Sequence, residues 1–255
     1  MRTLTPMLIL LAGCSWFRTP APQAVPIAFD SPTSEWPTAD WFAGRAGPLT
    51  GGAAAASLMV RPMGTLRVPT GALTVVDPFA AMQPSGNGTI PVPPGRYPVT
   101  VTVADIDGDG SHLREAYFTV HLADREEVRR RLLVKRYADT SPPEPPEPGG
   151  FYGVAVDAGT IAFLDEAELA GMAAPHGWFD TYFDSGASLS WFDAMDSPDN
   201  VAPGAALLDL PNAPNGGNIA FVHTGWGDGV YPIIGGYDAR DNLVAVHVDF
   251  GILWE

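Results

Sequence analysis

The chain has 255 residues and a formal net charge of −15, from 29 acidic and 14 basic residues. Binding to a phosphate backbone needs lysine and arginine to replace condensed counterions, so this balance argues against nucleic acid as a partner. The hydrophobic content of 46% argues against wholesale disorder, while 28 glycines and 26 prolines are more than long helices tolerate. We therefore expect a mainly β fold: a compact antiparallel β domain, sandwich-like or made of two packed sheets, with one or two short helices.

The N-terminus is similar to a bacterial lipoprotein signal. Arg2 precedes a short apolar run over residues 4–11, small residues follow, and Cys14 is the only cysteine. The run is too short to span a bilayer as a helix. We predict a signal peptide over residues 1–13, a lipid on Cys14 and attachment to a membrane of the cell envelope. Ser15 favours the outer membrane of a Gram-negative cell; the alternative is the apolar start of a cytosolic protein.

Two proline-rich segments divide the rest of the chain. Residues 14–48 contain many prolines among aromatic residues, which excludes a regular helix or a central strand there. Residues 141–150 form a second such segment, with the composition of an extended spacer. We expect a lipid-anchored tether over 14–48 and a single β-rich domain over 49–255, with the spacer inside it.

The clearest elements in the first half are an apolar strand region and a hairpin. The run over residues 66–76 stops at a turn dipeptide. Valines alternate with threonines over 99–103, and apolar and polar residues alternate in the same way over 117–122. The pattern predicts a hairpin with one core face and one face in water, where His121 would be solvated.

The second half predicts more strands and one helix. Short strands are expected at 132–134 and 152–156, and Asp165 is placed to cap a short helix, with Glu168 at the capping-box position. The C-terminus predicts an antiparallel meander of three strands, over 218–224, 231–237 and 243–250.

Three carboxylates near the hairpin turn resemble half of a calcium loop. Asp105, Asp107 and Asp109 occupy alternate positions before a turn glycine, as in the first half of such a loop. The closing position is Ala116, and Glu115 comes one residue early. An ordinary hairpin turn explains the Asp-Gly pairs better, and calcium is kept as the weaker alternative.

Catalytic and cofactor motifs give little more. His247 and Asp249 lie two residues apart on one predicted strand face, where a carboxylate orients an imidazole, yet no nucleophile accompanies them. The sequence has no nucleophile elbow, no phosphate loop, no dinucleotide fingerprint and no zinc helix. We expect no cofactor beyond the weak calcium alternative.

The segment around Trp226 is the most distinctive in the chain. Three glycines at alternate positions, from Gly225 to Gly229, indicate an unusual backbone path around the tryptophan. Its indole either plugs the domain core or lies open as a binding platform, and both interpretations stay open.

At these residues the chain resembles an uncharacterised bacterial family, domain of unknown function 4241. The resemblance runs from about residue 66 to residue 253 and rests on the blocks at 76–78, 93–99, 156–160, 218–232, 236–238 and 249–250. It implies no established activity. It does imply candidate site residues, which are Arg96, Tyr97, Asp157, Trp226, Asp228 and Tyr231.

Three functions follow as hypotheses. The leading one is a non-catalytic binding module at the envelope surface, with an envelope protein or glycan as partner. The second is a hydrolase of an envelope glycan or peptide that uses Asp157 and Asp228 as paired carboxylates. The third is an effector or protective lipoprotein in competition between bacteria.

Overall fold

The computed structural model describes residues 43, 46–48, 57–79, 87–137, 151, 153–172, 179–184, 190–197, 204–210 and 212–253. The predictions for Cys14, the signal peptide, nearly all of the tether and the spacer at 141–150 lie outside the described residues. The strands are β1 (Gly47–Pro48), β2 (Ser57–Val68), β3 (Ala72–Val76), β4 (Ile90–Pro91), β5 (Gly95–Asp105), β6 (Leu113–His121), β7 (Arg129–Leu132), β8 (Gly153–Val156), β9 (Thr160–Asp165), β10 (Ala206–Asp209), β11 (Asn218–His223), β12 (Gly229–Tyr237) and β13 (Leu243–Asp249).

These strands form two antiparallel sheets, which confirms the predicted fold class. The large sheet has the order β1-β2-β5-β6-β13-β12-β7, and β8 pairs with the first half of β12. The small sheet has the order β10-β11-β9-β3-β4. The predicted hairpin is β5 and β6, the centre of the large sheet. The strand expected at 132–134 is misplaced: β7 begins three residues earlier, at Arg129, and ends at Leu132.

The predicted C-terminal meander is wrong. Only β12 and β13 form a hairpin, whereas β11 lies in the small sheet between β9 and β10. Residues 218–222 are buried throughout, because the large sheet covers one face of β11 and helices cover the other. The loop over 224–228 therefore crosses from one sheet to the other at one end of the domain.

The main core lies between the sheets. Val99 of β5 is opposite Val120 of β6, which is in turn opposite Val246 of β13, so one row of valines crosses three strands. All three are at most 1% exposed. Phe118 reaches across to Phe163 of the small sheet, with ring centroids 4.6 Å apart. Period-two alternation places these side chains on one face, and their burial drives the two sheets together.

Short helices cover the other face of the small sheet. They are a 3₁₀ helix (Glu166–Met172), a π-helical turn (Phe179–Phe183) and α1 (Trp191–Met195). The Asp165 carboxylate accepts the Ala167 N–H at 3.1 Å, as a helix cap does. The predicted capping box is wrong, because Glu168 turns to the loop before β11 and accepts the Asn215 N–H at 3.1 Å.

The face of the large sheet that points away from the small one is not in water as predicted. Thr102 and Thr119 are 1% and 2% exposed. Leu58, Tyr117 and Ile234 belong to a separate apolar cluster on this face, and Phe151 packs against it. His121 is half-buried and its Nε2 lies 2.9 Å from the Thr100 hydroxyl, so it is not a solvated histidine.

Candidate functional site

Trp226 lies open at the end of the domain where the chain crosses between the sheets. The residue is 59% exposed, so the indole is a surface platform and not a core plug. Gly225 and Gly227 have φ angles of 59° and 104°, which explains why glycines stand on both sides of it. A Cβ on Gly225 would lie 2.5 Å from the Ile252 side chain, so that position also lacks space.

Hydrogen bonds hold this loop in one conformation. The Gly227 N–H donates to the Thr224 carbonyl at 3.1 Å, and the Thr224 hydroxyl donates back to the Gly227 carbonyl at 2.5 Å. The Tyr231 hydroxyl lies 2.5 Å from the Gly227 carbonyl and 3.0 Å from that of Thr224. Tyr231 is 8% exposed and burial raises its pKa. Tyr231 is therefore a support of the loop beneath Trp226.

The turn that carries Asp157 lies against this loop. Asp77 accepts the N–H groups of Asp157 and Ala158 at 2.8 and 3.2 Å, and Asp228 accepts that of Gly159 at 2.9 Å. A Cβ on Gly159 would lie 3.6 Å from the Cα of Gly227. Asp77 is buried, so its carboxylate replaces water for two turn amides.

Asp157 and Asp228 therefore meet at one place but have different surroundings. Both are exposed. One oxygen of the Asp228 carboxylate accepts the Gly159 N–H, whereas the carboxylate of Asp157 has no partner among the described residues. Of the two, Asp157 is free to meet a ligand.

Two residues that contact Trp226 were not predicted from the sequence. The Arg114 guanidinium lies 5.2 Å from the centre of the indole, and the His112 ring meets it edge-on with centroids 5.8 Å apart. Arg114 Nε is buried and has no hydrogen-bond partner among the described residues. We call the surface made by Trp226, His112 and Arg114, together with Asp157 on the adjoining turn, the Trp226 platform. No local sequence pattern indicates that the start of β6 lies beside the loop after β11. The sequence alone therefore does not predict that His112 and Arg114 contact Trp226.

Glu115 is the neighbour of Arg114 and a buried acid. It is 6% exposed, and burial raises the pKa of its carboxyl to about 7. The register explains its position: Thr102 pairs with Tyr117 but Val103 pairs with Glu115, so Ala116 is bulged out. The bulge puts Glu115 on the same face as Val103, toward the main core.

Arg96 and Tyr97 do not belong to this site. They lie at the start of β5, whereas Asp105, at the end of that strand, lies beside the Trp226 platform. The nine residue steps from Arg96 to Asp105 span about 30 Å at the rise of an extended strand, so Arg96 and Tyr97 are about that far from the platform. Tyr97 is 1% exposed, its hydroxyl donates to the Pro93 carbonyl, and burial raises its pKa to about 12. Arg96 is exposed opposite Arg67 of β2. The grouping of these two residues with the other four candidates is wrong.

The acidic loop at the end of β5 closes on itself. The two oxygens of Asp105 accept the N–H groups of Gly108 and Gly110, both at 3.0 Å. Asp109 accepts from Ser111 at 2.9 Å, and Asp107 pairs with His112 at 3.2 Å. This is the geometry of a turn stabilised by its own carboxylates. Nowhere in the described ranges do three histidine, cysteine, aspartate or glutamate side chains come together as a metal site would need.

The predicted pairing of His247 with Asp249 is wrong, because other residues engage both ring nitrogens. Nδ1 lies 2.9 Å from the Thr119 hydroxyl and Nε2 lies 2.9 Å from Glu127. Asp249 accepts the Gly251 N–H at 2.9 Å. His247 is 3% exposed, so this network holds the buried outer face of the large sheet together and is closed to a substrate.

Comparisons with known proteins bear on identity and not on activity. None of the helices in the described part of the chain is long and apolar enough to cross a membrane. A search of curated proteins gives no match, and neither does a search of solved structures. A family model described as "Protein of unknown function (DUF4241)" matches residues 66–248, which is more than half of the chain. The chain therefore belongs to the DUF4241 family.

Proposed function

We propose that this protein is a lipid-anchored binding module of the bacterial cell envelope, and that the Trp226 platform is its contact surface. The observation that carries the proposal is a tryptophan that is 59% exposed on a loop fixed by hydrogen bonds. Tryptophan is enriched among the residues that dominate binding energy, because it buries a large rigid surface on contact.

The fixed loop also lowers the cost of binding. A mobile loop loses conformational entropy when it closes on a partner, about 0.5–1.5 kcal/mol for each ordered side chain. Here Tyr231 and Asp228 already hold the loop and the neighbouring turn. The platform thus meets a partner in the shape that it already has.

The anchor is supported by the order of charge, apolar run and small residues before Cys14. A lipid there would keep the domain at the membrane, and Ser15 favours the outer membrane. Growth with radiolabelled palmitate tests the anchor: we expect label on the native chain and none on Cys14→Ala. Equal labelling of the two chains would overturn the anchor.

The binding function is tested by retention on an immobilised chain. Envelope extract is passed over the native protein, Trp226→Ala and Tyr137→Ala. Tyr137 is a matched control because it is an aromatic residue 41% exposed whose ring lies beside Gly88 and Lys135 and not beside Trp226. We expect material retained by the native chain and the control but not by Trp226→Ala. Retention that is the same on all three, or absent from all three, contradicts the proposal.

The hydrolase hypothesis has weaker support. It needs both Asp157 and Asp228, and one oxygen of the exposed Asp228 carboxylate already accepts the Gly159 N–H at 2.9 Å. That hydrogen bond holds Asp228 toward the turn, whereas a catalytic pair needs both carboxylates directed at the substrate. We therefore prefer the binding module.

A further inference from the structure

We infer that the ligand of the Trp226 platform is a neutral carbohydrate. This inference rests on the proposed binding function and names the chemical class of the ligand. It follows from three properties of the platform: a flat apolar ring, a guanidinium with unused donors beside it, and a carboxylate with unused acceptors on the adjoining turn.

The ring supplies the apolar contact. Arg114 and His112 lie against Trp226, and more than half of the residue surface still faces outward. A sugar ring presents a face of C–H groups, which fits an exposed aromatic ring, and hydroxyls at its edge, which need polar partners.

Arg114 supplies donors. Its Nη1 donates to the Leu113 carbonyl at 3.0 Å, and its Nε is buried and out of reach of a ligand. Its Nη2 has no hydrogen-bond partner among the described residues and is not buried, so its N–H groups are the donors that a ligand oxygen can reach. The side chain is already positioned by the indole.

Asp157 supplies acceptors, and its charge decides the class of ligand. An anionic ligand drawn to Arg114 would be repelled by Asp157 and Asp228, and a cation drawn to the aspartates would be repelled by Arg114. A hydroxyl group donates and accepts, so a neutral polyol satisfies both kinds of residue. The net charge of −15 further disfavours a polyanionic ligand.

The test is calorimetric titration of the purified full-length chain with defined oligosaccharides. The neutral probes are the tetramers of N-acetylglucosamine, of β-linked glucose and of α-linked glucose. The charged probes are trigalacturonate and the tetramer of glucosamine. We expect at least one neutral tetramer to bind more tightly than either charged probe.

Variants connect that binding to the platform. Trp226→Ala is expected to weaken it at least about tenfold, because stacking on the indole is lost. Arg114→Met keeps an apolar stem beside the ring and removes the donors, so a smaller loss of about three- to tenfold is expected. Tyr137→Ala should bind as the native chain does.

The outcomes separate this inference from the proposed function. If no neutral tetramer binds, or a charged probe binds better, the carbohydrate inference is overturned. If Trp226→Ala also fails to change retention of envelope material, the binding function falls with it. If that retention depends on Trp226 but the retained partner is a protein, the binding function stands and the carbohydrate inference is overturned.

Discussion

Glu115 holds a proton more firmly than an ordinary glutamate, because the register of β6 buries it. Its pKa rises from 4.5 to about 7, chiefly through burial. Because the folded-state pKa lies above the unfolded one, the native state binds this proton more tightly. The resulting stabilisation is fully present below about pH 4.5 and is lost as the pH rises through 7.

Replacement of Glu115 by glutamine should therefore stabilise the protein only at high pH. The shift corresponds to about 3 kcal/mol at pH 9, or a melting temperature roughly 6–12 °C above that of the native chain. At pH 4 the two should melt together. Melting curves at both pH values test this, with Glu126→Gln as a control on an exposed acid. A difference of the same size at pH 4 and pH 9 would contradict the assignment.

Asp77 and Asp157 differ in how much we expect each carboxylate to contribute to stability. Asp77→Ala leaves the N–H groups of Asp157 and Ala158 without their acceptor, so we expect the free energy of unfolding to fall by about 3 kcal/mol. Asp157→Ala removes an exposed carboxylate without a partner among the described residues and should change it by less than about 0.5 kcal/mol. Urea denaturation of both variants makes the comparison. Equal losses would show that the Asp157 carboxylate contributes to stability as much as that of Asp77, which would contradict this prediction.

At the scale of the element, the loop over 224–229 depends on Tyr231. In Tyr231→Phe the Gly227 carbonyl loses its phenolic donor while the ring still packs against Phe250, with centroids 5.3 Å apart. We expect faster hydrogen exchange at the loop amides and weaker binding, with a loss of stability of only about 1 kcal/mol. Exchange in β13 serves as the internal control. Unchanged exchange in the loop would exclude this role.

The elements differ in how well the sequence predicts them. The β5–β6 hairpin was predictable because its alternation is local, with valines on one face and threonines on the other. The bulge at Ala116 was not predictable, because nothing in the sequence of residues 113–116 indicates which residue lacks a partner on the neighbouring strand. Strict alternation would put Glu115 on the same face as Tyr117, so its burial toward the core is visible only in the register.

At the scale of the whole molecule, Asn218 joins the two sheets. Its side chain accepts the Arg67 N–H of β2 at 2.6 Å and donates to the Thr65 carbonyl at 3.0 Å, and the residue is 2% exposed. Asn218→Ala leaves both backbone groups unpaired, so we expect a loss of about 2–4 kcal/mol in the free energy of unfolding. Asn215→Ala is a control of the same chemistry, because Asn215 is exposed and its side chain has no hydrogen bond among the described residues. A loss no larger than that of the control would contradict a role in sheet pairing.

The arrangement of the sheets also explains which of the predicted site residues lie close together in the fold. Asp157 lies on the turn beside the loop of Trp226 and Asp228 because β8 pairs with β12 and the crossing loop adjoins that pair. The sequence alone could not place β11, because a strand buried on both faces has the same pattern in a meander and in a second sheet. Arg96 and Tyr97 were grouped with the site through the family resemblance, which carries no distance information.

The most direct test of the Trp226 platform is the affinity of the native chain and of Trp226→Ala for the neutral tetrasaccharides, measured side by side by calorimetry. Circular dichroism of both chains would check that the variant keeps the fold, which we expect because Trp226 lies on the surface and is 59% exposed. We predict that binding falls at least about tenfold in the variant. Equal affinities of the two chains would contradict the assignment of this surface as the binding site.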